Sequence, residues 1–173
     1  MAITKCEIPT VSVLQRQRID DVYFWDSYRA PQTQPKKTII EIFFDLFGHH
    51  PRWIKAILII RNKLAAICGL DAPTAAQIRD VQAKTHYEVG DTIGPWPIFE
   101  LTDDELVAGR NNKHLDFRLS ILRIDYDGAP GVVVSTVCTV HNLAGKIYLF
   151  FIVPFHKWGV QRLIARAITA GRL

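Results

Sequence analysis

The sequence predicts an α+β fold in which an antiparallel sheet of about six strands curves around one long C-terminal helix. Three observations carry that expectation. β-type runs follow one another closely at residues 114–126, 131–142 and 145–154. A helical pattern then replaces them from Phe155 to about Thr169. Two earlier apolar stretches, residues 37–47 and 51–68, each stop at a glycine, as helices do. Strands in succession with a terminal helix give a sheet covered on one face, and a concave side that can enclose a cavity.

Residues 1–19 are weakly patterned and read as an N-terminal arm or leading strand. Residues 20–29 (DDVYFWDSYR) are aromatic-rich and suit a strand, ended by Ala30-Pro31. After a polar linker, Ile39, Ile40, Ile42, Phe43, Phe44, Leu46 and Phe47 crowd a short helix, with Gly48 as a left-handed stop. A second helix begins at Pro51, whose missing N–H is harmless in a first turn, and runs to Cys68. Thr74 can cap a further short helix reaching about Lys84. Residues 89–97 are turn-rich, and residues 97–101 and 105–110 form short strands around Thr102-Asp103-Asp104.

Asn111-Asn112 and Asp127-Gly128 mark tight turns, and Leu143-Ala144-Gly145 closes the last hairpin. In residues 114–121, Leu115, Phe117, Leu119 and Ile121 share one face and His114, Asp116, Arg118 and Ser120 the other. One face is expected to be buried and one wet. Residues 147–153 are apolar on both faces, so the early helices or a partner subunit must cover the second. In the last helix Val160, Leu163, Ile164, Ala167 and Ile168 form the core stripe. With no repeat and no linker, residues 1–173 read as a single domain with two helices inserted after the first strand.

Bulk properties narrow the function classes. The chain is 49% hydrophobic and 22% charged, which indicates a globular protein. A net charge of +4 without a clustered basic stripe gives no case for nucleic acid. Cys6, Cys68 and Cys138 lie far apart and read as reduced thiols of a cytosolic protein, two of them buried. No secretory signal is visible, and the apolar run of residues 54–68 is broken by charges, so no membrane span is expected and the location is cytoplasmic. Neither a zinc-ligand spacing nor a phosphate-binding glycine loop occurs, so the expected cofactor is none.

The sharpest polar group is His114, Asp116 and Arg118, which a spacing of two places on one strand face. An Asp there could orient a His for proton transfer, or the three could be a solvated face with an Asp–Arg pair. His141 joins them if the strand register brings it alongside. Arg61 sits in the middle of an apolar helical stripe made by Ile57, Leu58, Leu64 and Ala65. It requires a structural carboxylate, with Asp26 and Asp116 as candidates, backbone carbonyls, or a ligand anion. Phe155 and His156 open the last helix behind Pro154 and fix the strand-to-helix corner.

The layout resembles the helix-grip fold of the START-related (SRPBCC) lipid-transfer and polyketide cyclase-like superfamily. More closely, GRNNKHLDFRLS (109–120), TVCTVHN (136–142), IYLFFIVPFHKWGVQRLIARA (147–167) and IIRN (59–62) are similar to a bacterial family known only as a domain of unknown function. That resemblance implies a fold and no particular activity. Three functions are weighed. The first is binding of a small hydrophobic or aromatic molecule between sheet and helix, with Arg61, His114, Asp116, Arg118 and His141 as candidate ligand-binding residues. The second is a cyclase- or hydratase-like acid–base enzyme using His114–Asp116 or His141. The third is a homodimer formed through the face of Tyr148, Phe150 and Ile152.

Overall fold

Long-range strand pairing dominates the architecture. The computed structural model describes residues 3–16, 22–49, 84–126 and 128–173. In chain order they form β1 (Thr4–Lys5), α1 (Val13–Arg16), β2 (Val22–Pro31), α2 (Ile39–Phe47) and β3 (Thr92–Ile93). β4 (Trp96–Leu101), β5 (Glu105–Arg110), β6 (Leu115–Tyr126), β7 (Ala129–Val140) and α3 (Leu143–Thr169) complete them. The sheet has seven strands in the order β1-β2-β7-β6-β5-β4-β3, every neighbour antiparallel. It curves around α3 in a helix-grip arrangement, as the sequence predicts. The expected second helix (51–68), the helix from Thr74, and Arg61 lie outside the described residues.

The concave face carries the main core. Tyr28, Ala30, Leu119, Ile121, Val132 and Val134 of the sheet meet Ile42, Phe43 and Leu46 of α2 and Val160, Ile164 and Ala167 of α3. The stripe predicted for the last helix is therefore the one that packs. Leu115 and Cys138 meet Tyr148 and Leu149 under the first turns of α3. A capping box starts α2: the Thr38 hydroxyl accepts from the Glu41 N–H at 3.3 Å, and Glu41 accepts from the Thr38 N–H at 2.7 Å. At the far end of α3, Thr33 donates to the Leu173 carbonyl, and Lys37 donates to the Arg172 carbonyl at 2.8 Å.

The structure corrects the sequence reading at four points. Residues 147–153 are not a strand, and Leu143-Ala144-Gly145 is not a hairpin. Both belong to the 27-residue helix α3, whose N-cap Asn142 accepts from the Gly145 N–H. The physical reason is topological: β2 and β6 occupy both edges of β7, so no edge remains for the strand expected next. Pro154 consequently sits inside the helix, where it forfeits one hydrogen bond, rather than at its start.

Gly48 ends α2 in the right-handed region (φ −77°), so no left-handed stop is used. Its N–H donates to the Phe44 carbonyl instead. The expected loop at residues 89–97 contains the short strand β3 paired with β4.

The fourth correction concerns the polar face of β6. Ser120 is fully buried, because the N-terminal arm lies over that side of the sheet. Leu14 packs there on Val107 and Val137. Glu105, only 3% exposed, accepts from Ser12 Oγ at 2.6 Å, Ser120 Oγ at 2.5 Å and the Val13 N–H at 2.8 Å. Its carboxylate fastens the arm to the sheet.

Candidate functional site

Four of the five candidates from the sequence can be placed. His141 Nε2 lies 3.2 Å from Asp116 Oδ2, so the register does bring His141 to the first cluster. Asp116 Oδ1 accepts from the Asn112 N–H at 3.0 Å, and His114 Nδ1 meets Asn142 Oδ1 at 3.0 Å. Arg118 turns away and lies 3.6 Å above the centroid of the Phe99 ring. Burial there holds its guanidinium below the usual arginine range, against the opposing pull of Asp116. The Asp116–His141 pair is partly open to solvent at the corner where β7 enters α3. Asp116 and Arg118 share a strand face with Ser120, the face turned away from α3.

A different polar group occupies the concave side. Asp26 is 1% exposed, on the same face of β2 as the core residue Tyr28. Its Oδ1 lies 3.3 Å from His156 Nε2 on α3, a ring that also meets Phe24 edge-on. Gln161, just over one turn further along α3, donates to the Tyr28 hydroxyl at 3.4 Å. Asp26 and Thr136 are register partners across β2 and β7. Among the described residues Asp26 Oδ2 and Thr136 Oγ1 are both buried without a hydrogen-bond partner, and the Asp26 carboxylate also acts on the Tyr28 phenol. Buried polar atoms are nearly always paired with protein or with ordered water, so two such atoms at adjacent positions mark a point where a water or another polar group fits.

The surroundings act on neighbouring groups. Burial, and next the charge of Asp26, push the Tyr28 phenol above its ordinary value. The same two causes push the Cys138 thiol up to about 12. Chemically, the group offers one carboxyl oxygen and one hydroxyl able to engage a ligand, beside an imidazole held by Asp26. Among the described residues no set of His, Cys, Asp and Glu could hold a metal ion.

Sequence reasoning missed this site because it took His156 as a corner residue and Asp26 only as a candidate ion-pair partner of Arg61. Asp26 and Tyr28 two apart in a strand, with Thr136 on another, were the available signal. Only the tertiary fold shows that α3 lowers His156 onto them.

No helix among the described residues is long and apolar enough to cross a membrane. No curated protein and no solved structure matches the chain. A family model does match residues 18–163, a span that includes Asp26, Tyr28, Thr136 and His156, and the chain belongs to that family, described as a protein of unknown function (DUF2867).

Proposed function

We propose that this protein is a START-like binding domain that holds a small hydrophobic or aromatic molecule carrying a hydroxyl or amino group, between the sheet and α3. The observation that carries this reading is the pair of buried, unpartnered atoms Asp26 Oδ2 and Thr136 Oγ1 on the concave face. Leaving a buried polar atom unpaired costs about 1–3 kcal/mol, and a ligand donor at that point removes the cost. Apolar burial would supply most of the affinity, at about 25 cal/mol per Å², and the polar contact would set orientation. Arg61 is proposed as a second anchor. His114, Asp116, Arg118 and His141 are proposed as an outer polar rim, since Asp116 and Arg118 lie on the face away from α3 and His114 and His141 stand at the corner where β7 enters it.

The test compares naphthol with naphthalene, which has no donor, by NMR titration of the full chain. Naphthol should shift the amides of Asp26, Tyr28 and Thr136 and bind about tenfold more tightly than naphthalene. In Asp26→Leu that preference should vanish while the melting temperature holds. Equal binding of the two probes, or none, would overturn the reading. So would a Thr136→Val variant and an Asp26→Leu variant that both retain the full preference for naphthol.

A second reading is favoured by the His156–Asp26 contact, since a histidine oriented by a carboxylate is the usual layout of a general base. In that reading the protein is a cyclase- or hydratase-like enzyme. His156→Gln separates the two: a pure binder keeps its naphthol affinity, whereas an enzyme loses turnover of its substrate while still binding it.

A further inference from the structure

The outer face of α3 has a character that neither the core nor the buried site explains. Leu143, Ile147, Phe150, Phe151 and Phe155 recur every three to four residues, and all are exposed, Phe150 by 75% and Leu143 by 70%. The first half of the helix is thus apolar on its buried side and on its open side. Further along the same outer side, Arg162, Arg166 and Arg172 line an open cleft of about 400 Å³. Among the described residues none of the three makes an ion pair, and Arg172 Nε is buried without an acceptor. The 27 residues of α3 include Lys146, Lys157, Arg162 and Arg166 but no Asp or Glu.

We propose that this face docks the protein on an anionic phospholipid surface, the aromatic stripe entering the headgroup boundary and the three-arginine cleft taking a lipid phosphate. A helix with Phe and Leu on one side, basic residues at its edges and no acid is suited to lie in the plane of a negatively charged interface. At about 1.5 Å per residue α3 is about 40 Å long, so both halves can touch one surface together. Guanidinium forks match phosphate oxygens in pairs, which fits a cleft whose described lining holds three of them and no carboxylate. A second copy of the chain is the poorer occupant. Two such helices facing each other would oppose lysines and arginines with no acid to answer them. This proposal is independent of the ligand reading, which uses the other side of α3.

The experiment is co-sedimentation of the full chain with vesicles of phosphatidylcholine alone and of phosphatidylcholine mixed with phosphatidylglycerol. Binding is expected only to the mixed vesicles and should weaken steeply with salt. Arg166→Gln should lower partitioning about fivefold. Phe150→Ser should lower it about tenfold. Both positions are exposed, so far-UV circular dichroism and melting should match the wild type. Equal binding to neutral vesicles, or none to either, overturns the proposal. So does tight binding of inorganic phosphate without vesicle binding, which would assign the cleft to a free anion. A concentration-dependent dimer abolished by Phe150→Ser would assign the stripe to a second copy and overturn it as well.

Discussion

Glu105 shows what one buried carboxylate does in this sheet. Three donors from β6 and the arm converge on it, and removing the acceptor strands them all in a dry place. Glu105→Leu should therefore lower stability by about 2–3 kcal/mol in urea unfolding, with the loss seen first as release of the arm. A loss under half that size would mean the arm contributes little. Cys138 offers a pH test. Its thiol is held neutral by burial, so its contribution is complete below the ordinary value of 9.0 and is lost as pH rises toward about 12. Tyr28 acts with the same sign, because its phenol is also raised. Unfolding midpoints measured upward from pH 9 should fall, and less so in Cys138→Ala. In the folded protein at neutral pH a thiol reagent should reach Cys138 only through unfolding.

Elements depend on a few local devices. The α2 capping box joins Thr38 to Glu41, and Thr38→Ala should cost about 1 kcal/mol in thermal or chemical unfolding. Glu41 is held below the usual carboxylate range by those hydrogen bonds, first the one from the Thr38 backbone. Its share of stability is thus present above an ordinary pKa of 4.5 and disappears as pH falls through the lower folded value. Strand pairing has its own device at Gly109, opposite Arg118 in β6. A Cβ there would overlap the Phe117 carbonyl oxygen, which is backbone and cannot step aside. Gly109→Ala should cost about 2–3 kcal/mol by the same measurements, and a neutral result would show that β5 can shift outward.

Across the whole molecule, α2, α3 and the sheet share one cluster, with Ile121 and Ile42 fully buried at its middle. Helix and sheet signals should therefore be lost together on heating, in coincident transitions by circular dichroism and tryptophan fluorescence. Ile121→Ala should lower stability by about 2–5 kcal/mol without separating the two. Two distinct transitions would show that the helices and the sheet hold separate cores.

Periodicity and turn chemistry made most of the framework legible. The alternation of Leu115, Phe117, Leu119 and Ile121 assigned β6 and its inner face, and the stripe from Val160 to Ile168 assigned the packing side of α3. Those signals are local, since a side chain's neighbours in sequence set its face. Residues 147–153 were misread because a run apolar on every side has no period to distinguish strand from helix. What decided it was the occupancy of both β7 edges, a fact about strands more than a hundred residues apart in sequence. The buried site has the same origin. Asp26 on β2 and His156 on α3 are 130 residues apart, and only the closure of the helix over the sheet makes them partners.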